Sequence, residues 1–193
     1  MVVPTSRPYH HGDLRRAILD AAVSVIPEAG PAGLSLRDLA RRAGVSHAAP
    51  AHHFGDKAGL LTAVAVEGYN LLAEELTGAQ QRTGDFLELG VAYVRFAVNH
   101  RAHFEVMFRP DLYHPDDPDL QTARERAGAA LYGGAGSIPT GQRGPDVRVA
   151  GVAAWSLVHG FATLWLTSSL PADLGEDVEV AARAIAAVLF RES

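Results

Sequence analysis

The sequence predicts an all-α protein of about nine helices. Over most of the chain the apolar residues recur every three to four positions, as they do along one face of a helix. No strand-like alternation of useful length competes with this pattern. Hydrophobic residues make up 48% of the 193 residues, so the chain can bury a substantial core. Capping residues, glycines and prolines divide the pattern into segments.

Four helices are predicted in the first part of the chain. The first carries an apolar stripe over 14–25, and the second carries one over 36–43. Glycine follows both stripes, as is typical of a helix end. A short third helix follows Ser46, and a fourth follows Asp56 and runs to about residue 80.

Five more helices are predicted in the rest of the chain. Their signals are polar caps, Pro/Gly-rich breaks and helical apolar spacing. The expected boundaries are a fifth helix capped by Asp85, a sixth over 103–109, a loop over 111–118, a seventh helix over 119–132, a loop over 133–145, and two last helices over 146–170 and 173–191. No internal repeat interrupts this order.

The composition excludes several classes of site. The chain contains no cysteine, which removes disulfides, thiolate metal sites and cysteine nucleophiles and agrees with a reducing compartment. Residues 1–11 contain no apolar run of signal-peptide length. A cytoplasmic location is therefore expected.

Charge is distributed unevenly along the chain. The net charge is −5, yet residues 1–60 hold seven basic and five acidic side chains, whereas residues 61–193 hold ten and seventeen. Five of the nine histidines also lie in the first part. A neutral-to-basic head on an acidic body allows the head to approach phosphate while the body stays away from it.

The segment from Ser35 to Lys57 predicts a helix-turn-helix. The Ser35 hydroxyl can accept the backbone N–H of Asp38 at the start of one helix, and Gly44 permits the left-handed conformation that ends it. Ser46 then caps the next helix. Two short helices joined by a tight glycine turn are typical of a motif whose second helix enters the major groove of DNA. An ordinary helical hairpin has the same local pattern.

The surrounding residues resemble the tetracycline-repressor-like (TetR) family of bacterial regulators. The matching stretches are Ala17-Ile-Leu-Asp-Ala-Ala22, Gly33-Leu-Ser-Leu-Arg-Asp-Leu-Ala40, Ala43-Gly-Val-Ser46 and His53-Phe-Gly-Asp-Lys-Ala-Gly-Leu-Leu61. Residues 7–15 and the later Trp155-Ser-Leu-Val-His-Gly160 are similar to the subgroup with a Trp-His-Gly (WHG) C-terminal domain. The resemblance implies a DNA-binding head over 1–58 and a helical ligand-binding and dimerisation body over 59–193. It also implies a dimer, and we expect a homodimeric repressor that an apolar small molecule releases from a near-palindromic operator. An activator is the alternative, because sequence alone does not fix the sign of regulation.

The predicted DNA contacts combine this resemblance with side-chain chemistry. The residues are Arg7, Ser46, His47, Ala48, Ala49, His52, His53 and Lys57. His47 can reach a base edge, and the two alanines after it can touch a thymine methyl. Lys57 suits a phosphate, and Arg7 suits a narrow minor groove. Ala51 departs from the family, which usually has an aromatic residue there, commonly tyrosine, and this puts the affinity for each half-site in doubt.

The last two helices predict the subunit interface. Residues 149–170 contain no charged side chain, and 22 residues would just span a bilayer. Several Ser, Thr and His residues interrupt the run and no second span accompanies it, so no membrane partner is expected. A helix that is apolar on nearly every side needs a second subunit in so small a chain. The predicted interface residues are Gly151, Ala154, Val158, Ala162, Val178, Ala182, Ile185 and Leu189.

Aromatic and soft side chains in the middle of the chain predict the effector site. The candidate ligand-binding residues are Tyr93, Phe96, Phe104, Met107, Phe108, Trp155 and His159. For each of them core packing is the alternative interpretation. The resemblance favours a cavity that some of them line, in which His159 orients an unidentified apolar effector.

Two other functions remain open from the sequence: a small-molecule enzyme without DNA binding, and a helical adaptor. No nucleophile elbow, zinc-protease motif or phosphate loop is present, so an enzyme is not expected. An adaptor would use the head for protein contacts. No metal is expected either, because adjacent histidines such as His52 and His53 point to different sides of a helix. No cofactor is expected, because the all-α pattern includes no cofactor-binding strand.

Overall fold

Nine α-helices and no strand form the part of the chain that the structure describes, which confirms the predicted fold class. The computed structural model describes residues 11–136 and 146–190. The helices are α1 (His11–Ala29), α2 (Leu36–Arg42), α3 (Ala49–Phe54), α4 (Lys57–Thr83), α5 (Phe86–Asn99), α6 (Arg101–Met107), α7 (Pro118–Ala135), α8 (Val147–Leu166) and α9 (Val178–Ala186). Short 3-10 turns lie at Pro31–Gly33, Ala172–Leu174 and Ala187–Phe190.

Side-chain caps fix the start of six helices. The Ser35 hydroxyl accepts the backbone N–H of Asp38 at α2, and the Asp85 carboxylate accepts that of Leu87 at α5, as the sequence predicts. Four more aspartates cap helices in the same way: Asp56, Asp117, Asp146 and Asp177. Each cap satisfies a backbone donor that has no partner inside the helix.

Several predicted helix boundaries are wrong, among them the end of α8, which lies at Leu166 rather than at residue 170. Helix α7 does not end at residue 132 but continues through two glycines to Ala135, because Gly134 and Ala135 are buried in the core. Helix α9 begins only at Val178, since Gly175 adopts a positive φ of 85° before the Asp177 cap. The rest of the loop predicted over 133–145 lies largely outside the described residues.

Helix α4 joins the head to the body. Its first turn follows α3 directly, and along its 27 residues it contacts α1 and α3 on one side and α5, α6 and α7 on the other. The buried apolar side chains form one continuous cluster from Ile18 in α1 to Ala186 in α9. The predicted division after residue 58 therefore falls inside the first turn of α4 rather than in a linker.

The body encloses α5 and leaves α8 partly open. Helix α5 contacts α4, α6, α7, α8 and α9, and its Tyr93 and Phe96 are almost fully buried. Helix α8 is long and apolar enough to cross a membrane by length and composition. A single such helix is weak evidence for a membrane span, because the core helix of a soluble protein has the same properties.

Candidate functional site

The turn between α2 and α3 has the geometry of a helix-turn-helix. Gly44 adopts a φ of 67°, which favours glycine. The backbone N–H of Val45 then donates to the carbonyl of Ala40 at 3.0 Å and closes the end of α2. Ala40 is fully buried, and its small side chain allows α3 to pack closely against α2.

The start of α3 differs from the prediction. Ser46 does not cap the helix; α3 begins at Ala49, and the capping position is Ala48, which makes no side-chain hydrogen bond. A turn precedes the helix, in which the N–H of Ala49 donates to the carbonyl of Ser46 at 3.0 Å. Pro50 occupies the first helical turn, where its missing N–H costs no hydrogen bond.

The outer surface of this region presents small and imidazole side chains. His47, Ala48, Ala51 and His52 are exposed, and His53 is half-buried with its ring centroid 5.3 Å from that of His52. A surface of this kind can offer donors, acceptors and methyl groups to base edges.

One predicted base contact is wrong. Ala49 is only 6% exposed and packs into the core of the head, so it cannot touch a thymine methyl. Arg7, predicted to enter the minor groove, lies outside the described residues.

The end of α3 is held against the start of α4 by a close backbone approach. A Cβ at Gly59 would lie 2.0 Å from the carbonyl oxygen of Phe54, so only glycine fits there. The Asp56 carboxylate accepts the Gly59 N–H at 2.7 Å, and this bond lowers the pKa of Asp56. The Arg15 guanidinium lies over the Phe54 ring, 5.0 Å from its centroid. The recognition helix is thus fixed to α1 and α4.

Lys57 already has a partner within the head. Its ammonium group donates to the carbonyl of Ala32, in the turn before α2. An ammonium carries three protons, so a DNA phosphate can still be contacted by the others. The predicted phosphate contact of Lys57 stays a prediction, and the structure adds a bracing role.

Most of the predicted interface positions face the protomer's own core. Five of the eight are buried in the single chain: Gly151, Ala154, Val158, Ala162 and Ala182. Val178 and Ile185 are half-buried, and the side chain of Leu189 lies outside the described part. Buried side chains have no surface left for a second subunit, so these five predicted interface contacts are wrong. Helical periodicity reveals an apolar stripe but not which neighbour covers it.

The same two helices expose other apolar residues. Val149 and Val180 are 64% and 62% exposed. The other exposed large apolar side chains of this region are Val152 and Leu164 on α8 and Val188 just after α9. On α8 the exposed positions continue through Ala153 and Ser156, which follow at helical spacing. An apolar stripe is therefore available on the outer side of α8 and α9.

The seven candidate ligand-binding residues do not form one site. Five are clustered: Tyr93, Phe104, Phe108, Trp155 and His159. Phe96 instead stacks on His100, with ring centroids 5.2 Å apart, and Met107 packs against Gly68 of α4. Both are buried in the core.

The aromatic cluster is packed in this structure rather than open. The Phe108 and His159 ring centroids are 4.5 Å apart, and Tyr93 and Phe104 are buried beside them. A void of about 20 Å³ lies next to Trp155. Such a void can hold one water, whereas small-molecule sites enclose at least about 300 Å³. The predicted effector pocket is therefore not preformed at these residues.

A chain of hydrogen bonds runs through the cluster. The Trp155 Nε1–H donates to the Tyr93 hydroxyl at 3.1 Å, and that hydroxyl lies 2.9 Å from Nδ1 of His159. If the hydroxyl donates onward, the proton of neutral His159 is on Nε2. Burial raises the pKa of Tyr93 and lowers the pKa of His159, so both side chains are neutral near pH 7.

A cleft of about 610 Å³, which no sequence pattern indicated, separates the head from the body. Its walls come from α1, the end of α3, α4 and the segment leading into α7. Leu19, Ala63 and Val66 give it apolar surface, and charged side chains surround them. The residues that meet there are far apart in sequence, so no local motif could have revealed it.

The Arg16–Glu67 ion pair joins the head to the body at this cleft. Arg16 Nη1 of α1 donates to Glu67 Oε1 of α4 at 2.6 Å, and Nη2 of the same guanidinium lies 2.5 Å from Asp20. The other oxygen, Glu67 Oε2, is 3.6 Å from Nε2 of His103 in α6. The His103 ring and Arg16 lower the pKa of Glu67 to about 2, against the desolvation that partial burial imposes. The carboxylate is therefore charged at physiological pH.

Two family models match the chain. The model of bacterial regulatory proteins of the tetR family matches residues 18–64, from α1 into α4. The model of the tetracyclin repressor-like C-terminal domain matches residues 86–189, more than half of the chain. The chain therefore belongs to the TetR family of transcriptional regulators, and the resemblance seen in the sequence is confirmed. The WHG subgroup stays a prediction.

The curated relatives are named as transcriptional regulators of the helix-turn-helix (HTH) type. The chain is 31% identical over 102 residues to the HTH-type transcriptional regulator BetI of Rhizobium meliloti (strain 1021), covering 53% of this chain and 45% of that protein. It is 42% identical over 62 residues to the HTH-type transcriptional repressor Rv3405c of Mycobacterium tuberculosis, covering 32% and 31%. The chain thus spans less than half the length of these relatives. Their names are those of regulators, not enzymes.

Solved structures share the fold over nearly the whole chain. A protein with unknown function from Rhodococcus sp. RHA1 is 34% identical with a TM-score of 0.77, covering 96% of this chain and 97% of that one. The TetR family transcriptional regulator PfmR from Thermus thermophilus is 24% identical with a TM-score of 0.65, covering 89% and 96%. The second likeness shows the fold alone.

Proposed function

We propose that this chain is a transcriptional repressor that binds a near-palindromic DNA operator as a homodimer. The observation that carries the proposal is the helix-turn-helix itself, which exposes His47, Ala48 and His52 on one surface and fixes α3 through Gly59. The repressor name of the mycobacterial relative supports repression rather than activation. A repressor acts where the DNA is, so a location in the bacterial cytoplasm is part of the proposal.

The dimer forms through the exposed stripe on α8 and α9. Val152, Leu164 and Val180 place large apolar side chains in solvent in the single protomer, which is unfavourable unless another surface covers them. A second copy of the same stripe across a two-fold axis covers both at once. The two heads are then held at the spacing of successive major grooves.

The effector enters the body at the aromatic cluster and opens it. The polar chain Trp155–Tyr93–His159 gives this apolar region a donor and an acceptor that can orient a small molecule. Because the cluster is packed, an effector has to separate Phe108 and Trp155 from His159, and this displacement reaches α6 and its contact with the head through α1. DNA release follows if the opened body favours another head spacing.

The experiment that tests the repressor function is selection of genomic DNA fragments by the purified chain, followed by competition with random duplex. One or a few near-palindromic sites are expected, with affinity that falls steeply as salt rises because phosphate contacts release counter-ions. Placing the selected site before a reporter gene then gives the sign of regulation. Absence of binding to every fragment at low salt contradicts the proposal.

A further inference from the structure

We propose that the cleft between head and body binds a small organic cation, with the Glu67 carboxylate as its counter-ion. The site is distinct from the aromatic cluster, and its ligand is a primary ammonium carried on a compact apolar group. The cleft volume, about 610 Å³, is within the range of small-molecule sites. The binding site itself does not depend on the proposed function; only the lowering of DNA affinity by the ligand rests on it.

The charges of the lining favour a cation. Four carboxylates and two guanidinium groups line the cleft, together with two histidines: Glu67, Glu74, Asp117 and Asp119; Arg15 and Arg16; and His53 and His114. With neutral histidines the lining carries a net charge of −2. The two arginines are also engaged, because Arg15 lies over the Phe54 ring and Arg16 is shared between two carboxylates. An anionic ligand would meet an excess of negative charge.

The Glu67 carboxylate is less exposed to water than that of Glu74 at the rim of the cleft. Its side chain is 21% exposed, against 62% for Glu74 at the rim. Its Oε2 atom is buried and has no hydrogen-bond partner among the described residues, and the same is true of both ring nitrogens of His103 beside it. This enclosed oxygen faces Nε2 of His103, 3.6 Å away, so a ligand in the cleft that pairs with Glu67 does so at Oε1, in place of Arg16.

Arg16 can give up Glu67 without losing its only partner. The guanidinium also contacts Asp20, one turn along α1, and its side chain is 55% exposed to water. A ligand ammonium that takes its place at Glu67 therefore leaves no buried charge unpaired. Because one ion pair replaces another, the net gain comes from the apolar part of the ligand, which covers Leu19 and Val66.

Occupancy breaks one ionic contact that joins the head to the body; Asp56 Oδ1 and Nε2 of His114, 3.4 Å apart, form another that remains. Arg16 lies on α1, and Glu67 lies on α4. Once the ammonium holds Glu67, α1 loses this tie to α4, and the orientation of the head is less restricted. A ligand that binds better to the released head lowers DNA affinity by the same factor by which DNA lowers ligand affinity.

The binding test uses the full chain without DNA and the probe 2-phenylethylammonium. Its matched controls are neutral 2-phenylethanol and anionic 3-phenylpropanoate. The binding of all three compounds is measured by calorimetry and ligand-observed NMR. The cation is expected to bind with a Kd of about 1 mM or below, and both controls at least about tenfold more weakly. Equal binding of the alcohol, or no binding of the cation up to about 10 mM, overturns the proposal.

Three variants locate the probe. Glu67→Gln keeps an oxygen for Arg16 but removes the charge, and it is expected to weaken the cation about tenfold or more. Arg16→Gln removes the competing cation and is expected to strengthen probe binding. Glu105→Gln is the control, because Glu105 is similarly covered, at 26% exposed, and pairs with Arg101 outside the cleft. Unchanged binding in both Glu67→Gln and Arg16→Gln overturns the site, and their opposite signs separate it from a loss of folding.

A measurement of DNA affinity in the presence of the probe tests whether ligand binding loosens the head. Saturating probe is expected to weaken binding to a selected genomic fragment about 5–150-fold in the unaltered chain, and not in Glu67→Gln. Probe binding with unchanged DNA affinity contradicts the loosening of the head. Failure to bind any DNA contradicts the proposed function instead, and the cation site is still judged by calorimetry.

Discussion

The Tyr93 hydroxyl lies 2.9 Å from Nδ1 of His159, and the same hydroxyl accepts the Trp155 Nε1–H at 3.1 Å. Residues from α5 and α8, more than sixty positions apart, are thereby joined in the middle of the body. Because Tyr93 is 1% exposed, water cannot easily replace it in either bond.

Removing this hydroxyl is expected to destabilise the protein. Tyr93→Phe leaves the Trp155 N–H and the His159 ring without their partner, which costs about 1–3 kcal/mol of the free energy of unfolding. Urea unfolding followed by tryptophan fluorescence measures the loss. Tyr132→Phe is the control, since Tyr132 is 38% exposed. Equal stability of Tyr93→Phe and the unaltered chain would mean that the hydrogen-bond chain contributes nothing.

Stability is expected to fall on mild acidification because of His159. Burial lowers its pKa below the ordinary 6.5, so between pH 6.5 and the lowered pKa the unfolded chain takes up a proton that the folded chain does not. The free energy of unfolding therefore declines as pH falls through this interval. His159→Gln, which does not titrate, is expected to show a shallower decline. An identical pH profile in the variant argues against a neutral, half-buried His159.

The sequence was informative where a local pattern decides the structure. Ser35, Gly44 and Asp85 each act through residues within four positions, and all three are placed as predicted. The number of helices in the described ranges also agrees with the prediction, because the helix breaks are local as well. The head could also be identified from its resemblance to the TetR family, because the residues of the helix-turn-helix motif are contiguous in sequence.

Sequence patterns failed where the outcome depends on a distant partner. The apolar periodicity of α8 and α9 could not show that Ala154 and Ala182 face the protomer's own core, because that depends on where α5 and α7 pack. Ser46 does not cap α3, because a turn lies between Ser46 and the helix, which therefore starts at Ala49. Arg16 and Glu67 lie 51 residues apart, so only the folded chain brings them together.

The exposed stripe predicts a variant that separates dimer loss from misfolding. Val180 is 62% exposed in the single protomer, so Val180→Arg is expected to fold and to give monomers, because a dimer would bury an unpaired charge. Ala182 is 1% exposed, so Ala182→Arg is expected to destabilise the protomer itself. Light scattering and thermal unfolding measure the two effects. Thr77→Arg on α4 is the exposed control, and a stable dimer of Val180→Arg places the interface elsewhere.

His47 is expected to influence which bases are preferred. It is exposed just before α3, where its ring can meet a base edge. His47→Ala is expected to relax preference at one or two base pairs, at a cost of about 1–3 kcal/mol on the selected site and little on random duplex. Quantitative competition with single-substitution operators measures this. The same loss on selected and random DNA removes His47 from base recognition.

Lys57 is expected to act differently, through phosphate and through the turn before α2. Its ammonium donates to the Ala32 carbonyl, so Lys57→Ala removes both a positive charge and a brace within the head. DNA affinity is expected to fall about equally on all sequences, and the slope of log affinity against log salt is expected to decrease by about 1. Lys57→Gln is the matched variant, because its amide can still donate to Ala32 but carries no charge. If Lys57→Gln retains the salt slope of the unaltered chain, the lysine contacts no phosphate and its role is confined to bracing the head.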